Sequence, residues 1–167
     1  MFIFESVKII DDYDFYTLKY KQTLELNAIY SSYTKPRFQT FIKDFKNGIR
    51  PFTIQEQNAI KLYFNKLKDI VQGDCYRGMI KEYFVISCFA DYAVNEVAHF
   101  MLKKYNADII FIVNVNSKAV YIRRSKNCNA KLDVLSKLLC DGGGHEYAAG
   151  GKITENFLKF TKTLNKC

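Results

Sequence analysis

Five of the eight glycines in this 167-residue chain fall between Gly142 and Gly151, in the segment Asp141-Gly-Gly-Gly-His-Glu-Tyr-Ala-Ala-Gly-Gly151. No other stretch restricts the fold as much. Glycine tolerates positive φ and lets other atoms come close to the main chain. A run of this kind therefore marks a tight backbone path, a close approach of a ligand, or both. Successive amides in such a segment can form a concave nest for an anion. His145 follows the third glycine and can donate or accept a hydrogen bond or carry a positive charge. Ala148 and Ala149 are small enough for a neighbouring element to pack on them. Taken alone, the string also suits a surface loop with an incidental histidine, or glycines demanded by the path from a helix to a strand.

The rest of the chain divides by pattern. Residues 1–78 read as helical. Ser6 to Tyr20 carries Val7, Ile10 and Phe15 with Asp11, Asp12 and Asp14 between them, and Leu24, Ala28 and Ile29 continue an apolar stripe. Pro36 can open a helix at its first turn, and Phe38, Phe41, Ile42 and Phe45 follow at helical spacing. Gly48 ends it. Thr53-Ile-Gln-Glu56 is a capping box. It starts a long helix with Ile60, Tyr63, Phe64, Leu67 and Val71 on one face and with Gly73 and Gly78 at its exit.

Residues 79–167 change character. Tyr83 to Phe89 is a strand-like run, and Asp91 can cap a helix reaching Lys104. Asp108 to Val115 is nearly continuous apolar, as for a strand covered on both faces. A turn at Asn116-Ser117 leads to an alternating partner, Ala119 to Arg123. A helix from Leu132 to Leu139, the glycine segment, a strand through Ile153 and a helix capped by Thr154 complete the order. The expectation is an α/β protein: a helical N-terminal segment (1–78), then a mixed β-sheet flanked by helices (79–167).

Composition bounds the partners. Hydrophobic residues at 49% and charged residues at 25% describe a globular chain. The net charge of +8 favours a polyanionic partner, and also suits a basic protein from an AT-rich genome. Lys118, Arg123, Arg124, Lys126 and Lys131 occur with no acid among them. Because Arg123 and Arg124 sit on an alternating strand, they face opposite ways, so one can meet a ligand while the other is solvated. The five cysteines show no metal-ligand spacing and suit a reducing compartment. No signal sequence or membrane span is evident, so a cytoplasmic location is expected.

Tyr121-Ile-Arg-Arg-Ser125, Leu132-Asp-Val134 and the Gly-Gly-Gly-His string together resemble the C-terminal substrate-binding domain of the DHH phosphoesterase superfamily, over about residues 80–155. That superfamily includes RecJ-like exonucleases, oligoribonucleases and enzymes of cyclic dinucleotides and nucleoside bisphosphates. Val7–Phe15, Leu26-Asn-Ala-Ile29 and the helix from Thr53 are similar, more loosely, to the segment that joins its two domains. Asp12 and Asp14 would lie at that junction, on a solvated helix face. The resemblance implies that Arg124, Ser125, Gly142, Gly143, Gly144 and His145 hold the phosphate or base of a short RNA, DNA or nucleotide. It implies manganese on a separate catalytic domain. The Asp-His-His triplet that gives the superfamily its name does not occur here, and the two histidines, His99 and His145, belong to no Asp/His cluster. The chain is then expected to be the C-terminal half of such an enzyme, inactive alone and dependent on a catalytic partner chain. Asp141, where a glycine is often found, should point away from the bound anion.

Two other readings stand beside this one. The chain can be a free-standing, non-catalytic nucleotide- or RNA-binding module. It can also be an interaction protein, with Phe38, Phe41 and Phe45 exposed and driving a homodimer.

Overall fold

The computed structural model describes residues 2–14 and 17–167. The chain divides into two compact units, 1–66 and 67–167.

The first unit is helical. Helix α1 (Phe2–Asp14) is followed by α2 (Lys21–Ser32), α3 (Arg37–Phe45) and α4 (Ile54–Gln72), whose last residues belong to the second unit. The helix expected over Ser6–Tyr20 therefore stops at Asp14, and Phe15 lies outside the described residues. The reason is Asp12, which is buried rather than solvated. Its carboxylate accepts hydrogen bonds from the Thr17 and Thr23 hydroxyls and from the amides of Lys19, at 2.8 Å, and Tyr20, at 3.2 Å. Those amides lead into α2, so the acid satisfies donors that a helix start leaves open. Burial pushes its pKa up, but the four hydrogen bonds outweigh that and hold it well below the usual carboxylate range.

Helix α3 does not present one exposed aromatic face. Phe45 is buried with Ile9, Leu26 and Ile29, Phe41 packs against them, and Phe38 and Ile42 are exposed. The capping box forms as expected: Thr53 N donates to Glu56 Oε2 at 2.7 Å and Glu56 N to Thr53 Oγ1 at 3.2 Å. Arg50 adds a two-pronged pair to the same carboxylate at 2.7 and 2.8 Å. Hydrogen bonding to Arg50 and Thr53 lowers the Glu56 pKa against the opposing effect of burial.

The second unit is a seven-stranded mixed sheet flanked by helices. Strand β1 (Cys75–Ile80) pairs antiparallel with β2 (Tyr83–Phe89), and β2 runs parallel to β3 (Ile109–Asn114) after the crossover helix α5 (Val94–Tyr105). Strand β4 (Ala119–Arg124) returns antiparallel to β3. Helix α6 (Leu132–Cys140) leads to the two-residue strand β5 (Gly143–Gly144) and to β6 (Ala148–Lys152). Helix α7 (Glu155–Thr161) and the two-residue β7 (Asn165–Lys166) follow, giving the order β5-β6-β4-β3-β2-β1-β7.

Residues 75–78 are thus strand, not helix: Gly78 pairs with Val85 within β1, and a Cβ on it would lie 2.7 Å from the tip of the Leu164 side chain. Asp91 does not cap α5; Ala93, in the left-handed region, precedes its first turn. Thr154 does cap α7, accepting from Phe157 N at 3.1 Å. The core is β2–β3–β4 with α6 and α7: Val85, Ile109, Phe111, Val120, Ile122, Leu132 and Phe157 are buried together. β3 is buried along five of its six residues, which explains its continuous apolar run. Among the described residues, no helix is long and apolar enough to cross a membrane.

Candidate functional site

The glycine segment is the outer border of the sheet. Helix α6 ends at Asp141, whose φ of 48° is left-handed and reverses the chain. The backbone then pairs Gly143 with Gly150 and Gly144 with Ala149. His145 N donates to Ala148 O at 2.8 Å and closes the turn. The segment is therefore a hairpin of two strands, not a loop. It turns so tightly because four of its five glycines have no room for a side chain. A Cβ on Gly142 would lie 2.0 Å from Gly150 O, on Gly144 2.4 Å from Ala149 Cα, on Gly150 2.7 Å from Val120 O and on Gly151 2.3 Å from Cys140 O. Ser136 locks the same place from α6: fully buried, it donates to Gly150 O at 2.7 Å.

Gly143 is different. A Cβ built on it meets nothing within 4 Å, and its φ is not in the left-handed region. Neither packing nor backbone conformation calls for glycine there. Its exposed face is open for another molecule to approach the main chain. Successive residues of an antiparallel strand turn their amides alternately toward and away from the partner. Since His145 points its amide at β6, Gly144 turns its own toward the open edge. His145 itself is exposed. Asp141 is exposed too.

Arg124 joins this hairpin from β4. It is buried, with its Nε donating to Glu146 O at 2.7 Å and Nη2 to Glu146 Oε1 at 2.5 Å. Its guanidinium lies 4.3 Å from the centre of the Tyr147 ring. The acid is the exposed partner: 69% of the Glu146 side chain is open to solvent, against 4% for Arg124. The strand alternation separates the two arginines as expected, but Arg123 is not solvated. It is half-buried, bonds Asn95 Oδ1 at 3.1 Å and reaches Ala149 O at 3.4 Å, and burial lowers its pKa.

The wider basic run is not one surface. Lys118 lies in the turn before β4 and Arg124 at its far end, about 20 Å away for a strand rising ~3.3 Å per residue. Ser125 leaves the strand. Its amide donates to Asp108 O at 2.8 Å, and no hydrogen bond joins it to the hairpin among the described residues. His99 sits on the exposed side of α5, its pKa lowered by partial burial and by Lys103 and Lys126. Glu146, Tyr147 and Ser136 escaped the sequence reading. Glu146 and Tyr147 lie inside the motif, but their pairing with Arg124 needs the strand register. No three His, Cys, Asp or Glu side chains converge on a metal position among the described residues.

A family model described as the DHHA1 domain matches residues 83–167. No curated protein matches the sequence. Among solved structures, the chain is similar to an uncharacterized protein from Helicobacter pylori G27, with 18% identity over 93% of this chain and 44% of that one and a TM-score of 0.43. It is also similar to the pGpG-specific phosphodiesterase PggH from Vibrio cholerae, with 11% identity over 81% of this chain and 51% of that one and a TM-score of 0.55. The latter is a likeness of fold. The chain spans about half the length of both structures.

Proposed function

This chain belongs to the DHHA1 domain family, and we propose that it is the substrate-holding part of a DHH-type phosphodiesterase acting on short oligonucleotides or nucleotides. The open face of Gly143 carries this reading. It is the one glycine of the hairpin that the fold does not require, and a phosphate approaching the backbone is what its missing side chain would admit. The Gly144 amide at the open edge and the exposed His145 imidazole are the donors assigned to that phosphate. Arg124, which reaches the turn of the hairpin at Glu146, is the cation assigned to that phosphate. Glu146 now occupies its guanidinium, and an exposed carboxylate in a single pair is cheap to displace. A phosphate oxygen can take the same position, since guanidinium binds both anions through parallel N–H donors.

Hydrolysis is assigned to a separate catalytic domain carrying manganese, on the same polypeptide or a partner chain. Among the described residues, no group of three His, Cys, Asp or Glu side chains is placed to hold a metal ion. The fold neighbour from Vibrio cholerae, a pGpG-specific phosphodiesterase, supports a dinucleotide-sized ligand.

The test is fluorescence anisotropy with a labelled, 5′-phosphorylated trinucleotide RNA. Wild type should bind, and both Arg124→Ala and His145→Ala should bind at least tenfold more weakly, about 1.4 kcal/mol. Equal affinity of wild type and His145→Ala would remove the hairpin from the binding site.

A further inference from the structure

The opposite border of the sheet holds a second cluster, built from residues far apart in sequence. Strand pairing sets Cys75 directly against Cys88 across β1 and β2. On its other side, β1 pairs with β7 as Tyr76 with Lys166 and Arg77 with Asn165, and one further step of that register sets Cys75 against Cys167. Cys167 N donates to Cys75 O at 2.7 Å, which continues the ladder to this pair. Directly opposed residues point their side chains to the same face. Cys88, Cys75 and Cys167 therefore form a row of three thiols across three adjacent strands.

The spacing suits covalent chemistry. A hydrogen-bonded antiparallel pair such as Cys75 and Cys167 has its Cα atoms about 5.5 Å apart, within the ~4.4–6.8 Å that a disulfide spans. The Cys75 thiol reaches the Tyr76 carbonyl at 3.8 Å, and the nearby Cys167 and Tyr105 both act on its ionisation. Exposure grades along the row: Cys167 is exposed, while Cys75 and Cys88 are buried. Only the first can meet a reagent from solution. Lys166 also pairs with Asp74 at 2.7 Å, beside the row.

We propose that Cys167 and Cys75 are a disulfide-forming pair, with Cys167 the thiol that reacts with a small-molecule disulfide such as oxidised glutathione and Cys75 the thiol that resolves it. In the first step the Cys167 thiolate attacks one glutathione sulfur. The S–S bond breaks, a mixed disulfide forms and one glutathione thiolate leaves. In the second, Cys75 Sγ attacks Cys167 Sγ and releases the second glutathione, and the Cys75 proton passes to that departing thiolate. Two protein thiols lose two electrons and two protons, and the glutathione disulfide becomes two thiols. The product bond staples β7 to β1 across the edge of the sheet.

The test is to incubate the full chain with oxidised glutathione under native conditions, block free thiols with iodoacetamide and map the non-reduced peptides by mass spectrometry. The expected result is a Cys75–Cys167 linked peptide with Cys88 alkylated once the protein is unfolded. Cys75→Ala, with its fold checked by circular dichroism, should stop at glutathione on Cys167. Cys167→Ser should leave both Cys75 and Cys88 reduced. Wild type in which Cys167 keeps its glutathione, or in which Cys75 links to Cys88 instead, would overturn the proposal.

Discussion

The sheet ends on both sides in a strand of two residues, and the two ends are built by opposite means. At the β5 end, the chain path is set by missing side chains: neighbours stand within 3 Å of where a Cβ would be at Gly142, Gly144, Gly150 and Gly151, while Gly143 leaves its backbone open. At the β7 end, three side chains of one kind are lined up by strand register. A site made of backbone leaves a local mark on the sequence, because glycines must cluster where the chain is tight. A site made by register leaves none, since Cys75, Cys88 and Cys167 come from three separate strands or their ends.

The largest effect should come from filling the glycine end. Gly151→Ala drives a methyl into the Cys140 carbonyl, 2.3 Å away, and neither the backbone of α6 nor that of β6 can yield cheaply. Urea unfolding should show a loss of about 3 kcal/mol, at the upper end for overpacking. A loss under about 0.5 kcal/mol, the ordinary range for surface changes, would mean that the hairpin is loose and its glycines are not structural.

Arg124→Ala comes next. It removes a buried cation together with its bond to the Glu146 carbonyl and its stack on Tyr147. The cost should be about 2 kcal/mol by the same measurement. The conservative Glu146→Gln separates support from competition. The Glu146 main-chain carbonyl still accepts from Arg124, but the competing charge is gone. Affinity for the 5′-phosphorylated RNA should rise about threefold, in keeping with the small worth of an exposed ion pair. A fall instead would make the carboxylate a support of the site.

At the cysteine end the contrast is one of reactivity. Burial, together with the neighbouring Cys167, pushes the thiols of Cys75 and Cys88 up to about 12. A raised thiol pKa leaves less thiolate at any pH below it, and thiolate is the reactive form. At pH 8, iodoacetamide should label Cys167 first, with Cys75 and Cys88 silent until the protein unfolds. Equal labelling of all three in the native state would mean that β7 does not cover β1.

Much of the second unit was legible because its elements carry strong local patterns. The run Tyr83–Phe89, the apolar β3, the alternation that splits Arg123 from Arg124, and the Thr154 cap all follow from nearest-neighbour physics. What escaped depends on partners distant in sequence. β1 is interrupted by Arg77 and Gly78 and shows no clear strand alternation, and only its place between β2 and β7 makes it a strand. Asp12 looks like one of three solvated acids, and only the returning segment at Thr17–Thr23 buries it. Arg124 could be chosen from its motif, whereas its occupation by Glu146 could not.

The distinction within the glycine hairpin can be tested most directly by measuring stability and RNA affinity together in Gly143→Ala. Urea unfolding should stay within about 0.5 kcal/mol of wild type, because the added methyl meets nothing and the backbone is unstrained. Anisotropy with the 5′-phosphorylated trinucleotide should show affinity reduced at least tenfold, about 1.4 kcal/mol. Unchanged affinity in that stable variant would contradict the account, since the open face of Gly143 would then admit no ligand.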